Sequence, residues 1–215
     1  MRELIGVYGA SGFGREVMPL VRKQYPYLNQ ESFVFVDDAR TQKILNGYKV
    51  ITYLNFLNLD AQHKKITIAI ADSKIRQLLA KKISKDSISQ ISVKADNTTI
   101  LDGVDIGEGS ILCHHTCLTS NIKIGKFFHA NIYSYIAHDC VIGDYVTFAP
   151  RVSCNGNIHI HNHAYIGTGA VIKQGTPDKP LVIGEGAIVG MGAVVTKDVP
   201  AGAIVIGNPA KPLIK

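Results

Sequence analysis

The residues best suited to chemistry lie mid-chain, in the run Ile136-Ala137-His138-Asp139-Cys140. An imidazole titrates near neutrality, so it can take a proton from an amine or hydroxyl that is attacking a carbonyl. A carboxylate beside it can fix the tautomer and stabilise the cation that forms. Neighbours in a strand point to opposite sides, so His138 and Asp139 can meet only if the chain turns at this step. Taken alone, the dipeptide equally describes a histidine on a polar surface turn. A second group is the loop Gly9-Ala10-Ser11-Gly12-Phe13-Gly14. It follows an apolar run and opens a helix, so its amides and the helix N-terminus suit a diphosphate. Its spacing is not the full GxGxxG of a nicotinamide site. Asp37 and Asp38 end the next apolar run, where acids suit hydrogen bonds to a ribose or base edge but are otherwise simply solvated. Asp72 and Ser73 end a third run and are placed to cap the helix that follows.

The other candidates invite a metal or a nucleophile. His159, His161 and His163 alternate and would share one strand face, with His114 and His115 earlier in the chain. No local ligand spacing establishes a metal site, and none is expected. Cys140 and Cys154 fall at apolar or small positions, which argues against a cysteine nucleophile. The four cysteines form no CxxC pair. With an N-terminus that does not read as a signal peptide, they are expected to be reduced thiols of a cytoplasmic protein.

These residues sit in two halves with different grammar. Residues 1–92 alternate strand and helix: apolar strands at 4–8, 32–36 and 65–70, helices opening at 15 and 74. This predicts a small Rossmann-like α/β domain. From Ile100 the apolar residues recur every six positions, at Ile100, Ile106, Leu112, Leu118, Ile124, Ala130, Ile136, Ile142, Phe148, Cys154, Ile160, Ile166 and Ile172. The loop-like stretch Gly175-Thr176-Pro177-Asp178-Lys179-Pro180 interrupts them. The period resumes at Ile183, Val189, Val195 and Ala201. Helices have no period of six, whereas a parallel β-helix repeats wall and turn at such a spacing. Residues 93–215 are therefore expected to form one.

The second half resembles the hexapeptide-repeat acyltransferases, whose left-handed β-helix uses three hexads per coil. With the glycine loop, Val36-Asp37-Asp38, residues 136–144 and the ending Gly207-Asn208-Pro209-Ala210-Lys211-Pro212, the chain resembles one branch of them. That branch comprises the trimeric acetyltransferases acting on sialic acid or on nucleotide-linked 4-amino-sugars. Many members carry a histidine where this chain has Phe13. The resemblance implies an N-acetyltransferase moving acetyl from acetyl-CoA to the 4-amino group of a UDP- or dTDP-linked 4-amino-4,6-dideoxy-sugar, for a surface glycan. It implies His138 as general base, Asp139 as its partner and Asn131 as a positioning residue. Eighteen residues per coil would set Gly156 above His138, its N–H on the thioester oxygen. Thr168, Gly190, Met191, Gly192 and Ala193 would line the pantetheine groove, with Lys211 near the phosphates. The nucleotide would occupy the cleft of Gly9, Ser11, Gly12, Phe13, Gly14, Asp37, Asp38, Asp72 and Ser73. Each site of a homotrimer would join His138 of one chain to the N-terminal cleft of its neighbour. Sialic acid O-acetylation, a zinc β-helix carbonic anhydrase and a non-catalytic scaffold are the alternatives.

Composition narrows the partners. Of 215 residues 46% are hydrophobic, enough for a core, and 19% are charged, a low share that fits a surface hidden in an oligomer. The formal net charge of +6 comes from scattered Lys and Arg, with no Trp. Nucleic-acid binding calls for a basic stripe with stacking residues, so a small polyanionic ligand accounts for the excess better. No apolar run is long enough to span a membrane.

Overall fold

The computed structural model describes residues 3–213. The chain divides into two compact units between Lys94 and Ala95, two residues past the boundary read from the sequence.

The first unit is a six-stranded sheet with helices. Its elements are β1 (Glu3–Tyr8), α1 (Gly12–Gln24), β2 (Phe33–Val36), β3 (Ile44–Leu45), β4 (Tyr48–Ile51), α2 (Tyr53–Asn58), β5 (His63–Ile68), α3 (Ser73–Lys85) and β6 (Ser89–Gln90). The strand order is β3-β4-β2-β1-β5-β6. All pairs are parallel except the β3–β4 hairpin. Central strands of such a sheet are covered on both faces and read as continuous apolar runs; every residue of β2 is buried. Helix α1 buries Val17, Met18, Leu20 and Val21 as one stripe. The hairpin was not anticipated, although Asn46-Gly47 marks it. Both residues are left-handed (φ 48° and 80°), as the tightest hairpin turn demands.

The second unit is a parallel β-helix with three faces built from strands of two or three residues. On the first face Leu112, Ala130, Phe148 and Ile166 pair in sequence. On the second, Leu118, Ile136, Cys154 and Ile172 do so. On the third, Ile124, Ile142 and Ile160 do so. Each step is one coil of three hexads, so each hexad's apolar residue points inward and stacks on its equivalents. These columns form the core. Non-glycine residues hold left-handed conformations at the turns: His115, Tyr133 and Arg151 at one corner, Asn121, Asp139 and Asn157 at the next, Phe127, Tyr145 and His163 at the third. That conformation is unfavourable for L-residues. At the third corner ring stacking offsets it: Phe127 on Tyr145 at 5.2 Å, and Tyr145 on His163 at 5.3 Å.

The period breaks twice. Ile160 pairs with Ile183 and Ile166 with Val189, because residues 175–180 lengthen one coil as a loop. The final coil is shortened: Val189 pairs with Val205, and Val199 bridges Ile183. Ala201, expected in the core column, is therefore exposed, and Val199 and Val205 are buried instead. No described helix is long and apolar enough to cross a membrane.

Candidate active site

His138 and Asp139 lie on the turn between the second and third faces. Asp139 is left-handed (φ 58°), which supplies the turn their pairing requires. His138 Nδ1 stands 2.7 Å from Asp139 Oδ2, with both side chains about half exposed (47% and 46%). With Nδ1–H donated to the carboxylate, the Nε2 lone pair is left for a substrate proton. Asn121, one coil below, donates from Nδ2 to the other oxygen, Asp139 Oδ1, at 3.4 Å. Sequence reading missed Asn121, and the eighteen-residue step from Asp139 was the available signal.

Gly156 occupies the position above His138. A Cβ there would fall 2.5 Å from His138 Cε1 and 2.6 Å from Nε2, so only glycine leaves the imidazole its place. The Gly156 carbonyl accepts from Gly175 N–H at 3.0 Å. Its own N–H has no acceptor among the described residues. One coil higher opens a cleft of about 560 Å³ lined by Lys173, Gly175, Thr176, Lys179, Lys197 and Asp198. The inserted loop builds one side of it. The sequence marked that loop only as an interruption, and the grouping of its Lys179 with Lys173 and Lys197 escaped notice.

The remaining candidates of this unit lie on a different corner. Asn131 follows the first-face strand His129–Ala130, and its Oδ1 accepts from Ile132 N–H at 2.7 Å. Thr168, Gly190, Met191 and Gly192 continue up the same corner, between first and second faces. Gly192 N–H donates to Thr168 O at 2.8 Å, and Met191 is 81% exposed. Ala193 is buried, its N–H donating to Gly190 O and its carbonyl accepting from Val171, so its methyl faces the core and not a groove. Lys211 is exposed on the short antiparallel strand Lys211–Pro212. Within one chain, then, the His138–Gly156 edge and the Asn131–Gly192 edge are separate corners of the prism.

The histidine series does not gather. The strand stops at Ile160, so only His159 stands on the third face. His161 is exposed on the turn, and left-handed His163 swings in to stack on Tyr145. His114 meets Asn97 at 2.8 Å, and His115 stacks on Tyr133 at 4.7 Å. Among the described residues no three metal-ligating side chains cluster. Cys140 and Cys154 are both buried. The contact with Cys140, then burial, pushes the Cys154 thiol up, so it stays protonated.

In the first unit the glycine loop has a strict geometry. Gly9 is left-handed (φ 106°), and a Cβ on Gly14 would fall 1.8 Å from Gly9 O. Ser11 is the N-cap of α1 but makes no side-chain capping bond, and the helix presents its N-terminus beside the loop. The acids are engaged internally. Asp37 accepts from the amides of Ala10 (2.9 Å), Ala39 (3.0 Å) and Arg40 (3.2 Å). Asp38 accepts from Tyr8 Oη (2.5 Å) and Tyr53 N–H (2.7 Å). Burial works against its ionisation, but these two donors and Lys82 outweigh that and hold its carboxyl below the usual value. Asp72 caps α3 through Lys74 and Ile75 N–H at 2.9 Å, and Ser73 is that helix's first residue.

Coils of stacked hexads, with a histidine–carboxylate pair under a glycine amide, define a β-helical acyltransferase. Residues 4–83 match the PglD N-terminal domain family. The chain is 48% identical over 213 residues to GDP-perosamine N-acetyltransferase of Escherichia coli O157:H7, covering 97% of this chain and 95% of that protein. Among solved structures it is similar to WeeI from Acinetobacter baumannii AYE, at 68% identity, TM-score 0.97, over 98% of this chain and all (100%) of that one. It is also similar to the acetyltransferase domain of PglB from Neisseria gonorrhoeae FA1090, solved with acetyl coenzyme A: 29% identity, TM-score 0.87, 99% of this chain and 100% of that one. The chain belongs to the hexapeptide-repeat sugar N-acetyltransferases, acetyl-CoA-dependent enzymes with a Rossmann-like unit before a left-handed parallel β-helix.

Proposed function

We propose that the chain acetylates the 4-amino group of a GDP-linked 4-amino-4,6-dideoxy-hexose of the perosamine type, in the cytoplasm, for a surface glycan. The observation that carries the chemistry is the His138–Asp139 pair with a free Nε2 under the unpaired Gly156 N–H. The neutral amine attacks the thioester carbonyl. A carbon–nitrogen bond forms, negative charge gathers on the oxygen beside Gly156 N–H, and His138 Nε2 takes the amine proton. The carbon–sulfur bond then breaks, and the proton passes to the departing thiolate of CoA. The choice of GDP over UDP or dTDP, the nucleotides expected from the sequence, rests on the 48% identical relative. The helix N-terminus at the start of α1 favours the diphosphate in the first unit, with Asp37 holding the loop through Ala10 N–H.

The two separate corners support a homotrimer. A groove between two prisms would bring the His138 edge of one chain against the Asn131–Gly192 edge of the next. The pantetheine would lie in it, and the Lys173, Lys179 and Lys197 cleft would face the CoA phosphates.

The test offers acetyl-CoA with GDP-, UDP- and dTDP-linked 4-amino sugars, following thiol release and product mass. GDP-perosamine is expected to turn over fastest, giving a product stable to mild base. Faster turnover of a UDP- or dTDP-sugar would overturn the nucleotide assignment, and a base-labile ester would move the reaction to oxygen.

A further inference from the structure

The hydrogen-bond ladder of the second face has one exception, and it sits beside His138. After each second-face strand the next residue donates its backbone N–H to the coil above: Leu101 to Leu118 O (3.0 Å), Thr119 to Ile136 O (3.0 Å), Ala137 to Cys154 O (2.8 Å) and Lys173 to Val195 O (2.8 Å). Asn155 does not. Its side-chain Nδ2 takes the expected acceptor, Ile172 O, at 2.7 Å. The orientation of that amide is set by Tyr135 Oη, which donates to Asn155 Oδ1 at 2.8 Å. The backbone N–H of Asn155, one peptide before Gly156, is thereby released from the ladder.

The next peptide, Asn155–Gly156, is held from inside. The fully buried thiol of Cys140 donates to Asn155 O at 3.1 Å, while Cys154 Sγ lies farther off, at 3.9 Å. In a planar trans peptide, C=O and the following N–H point to opposite sides. With Asn155 O turned inward onto Cys140, the Gly156 N–H is turned away from the core. We propose that Cys140 and Asn155 are positioning residues: together they fix the Asn155–Gly156 peptide so that Gly156 N–H is presented to the thioester oxygen above His138. The proposal rests on the acetyl-transfer reading and explains two residues that reading leaves idle, a buried cysteine and an asparagine in place of a ladder amide.

The experiment first establishes thiol release by the wild-type chain with acetyl-CoA and a nucleotide-linked 4-amino sugar. No release would sink the acetyl-transfer reading itself. Variants then test the clamp alone. Cys140→Ala should lower kcat about tenfold, less than the 10²–10³-fold that follows loss of a whole oxyanion donor, with KM for acetyl-CoA unchanged. Cys140→Ser, which restores a donor, should return kcat to within about threefold of wild type. Cys154→Ala opens a similar cavity but removes only the longer 3.9 Å contact to Asn155 O and the neighbour of Cys140, keeping the 3.1 Å bond, and should leave kcat within about twofold. Asn155→Asp keeps the acceptor for Tyr135 but loses the donor to Ile172 O. Its backbone N–H should rejoin the ladder and lower kcat by at least about tenfold; this variant carries the test should Cys140→Ala not fold. Wild-type kcat in Asn155→Asp, or an equal loss in Cys140→Ala and Cys154→Ala, would overturn the proposal.

Discussion

The two units use their polar residues in opposite ways. In the β-helix stacking satisfies most of the backbone, so a polar pair at the His138 corner is free to face a substrate. His138 and Asp139 are about half exposed and pair with each other. In the α/β unit no such ladder closes the connections, and acids at strand ends fill that role. Asp37 gathers three backbone amides, Asp38 takes Tyr8 and Tyr53, and Asp72 caps a helix. The same residue type at a similar-looking place is thus a reactive group in one half and a fastener in the other. Altering Asp139 should cost turnover and spare stability; altering Asp38 in the α/β unit should do the reverse.

The largest effect tests the first half of that contrast. His138→Ala should lower kcat by about 10²–10⁴-fold, the usual worth of a positioned base. Its melting temperature should stay near wild type, since an exposed side chain on a turn supports no core. A variant keeping more than half of wild-type turnover would remove His138 from the mechanism. The same variant tests the shared groove. Refolded in equal amounts with Asn131→Ala, it should recover about a quarter of wild-type activity, because random assembly gives one groove in four both intact edges. No recovery in mixed trimers confirmed by mass would place both edges of a site on one chain.

How far the sequence showed this depends on which physical rule wrote each part. The hexad period is a direct record of inward-facing slots, so Leu112 to Ile172 could be placed without coordinates, whereas the eighteen-residue step that put Gly156 over His138 came from the family resemblance. The period failed at Ala201, where the chain cuts a corner and Val199 and Val205 fill the core. Side-chain direction at turns was hidden as well. Nothing in the alternation of His159, His161 and His163 tells that the strand ends at Ile160 and a left-handed backbone turns His163 inward. In the α/β unit the strands and helices were legible, but the partners of Asp37 and Asp38 lie outside any local pattern. Tyr8 and Tyr53 reach Asp38 only through the sheet's topology.

A smaller effect sharpens the geometry above His138. Gly156 carries no positive-φ strain, so Gly156→Ala should fold, but its methyl would collide with the imidazole. Turnover should drop about 10–100-fold, from a displaced base and a disturbed oxyanion donor. KM for the amino sugar should change little, since its nucleotide is held elsewhere. Asp139→Asn should cost less, about tenfold, because the imidazole remains and only its partner's charge is lost. Its melting temperature should match wild type within error; a large fall would make Asp139 a fastener like its counterparts in the other unit.

The smallest effect belongs to Asp38 and carries a pH signature. Its carboxyl is held below the usual value in the folded chain, against burial, by Tyr8, by the Tyr53 amide and by Lys82. A carboxyl with a folded pKa below its unfolded one stabilises the fold above the unfolded value, near 3.8. That stabilisation disappears as pH falls through the lower, folded value. Asp38→Asn should therefore lower stability at neutral pH by about 1 kcal/mol, less than the roughly 1.5–3 kcal/mol usual for bonds to a charged group, because the residue is exposed. Melting curves of both chains, taken in steps from about pH 7 to about pH 3, should converge only at the acid end. Turnover with saturating substrates should be unchanged throughout the neutral range. Curves that stay equally spaced down to the acid end would mean the ionised carboxylate contributes nothing. A loss of turnover at unchanged stability would make Asp38 a substrate contact after all and erase the contrast between the two units.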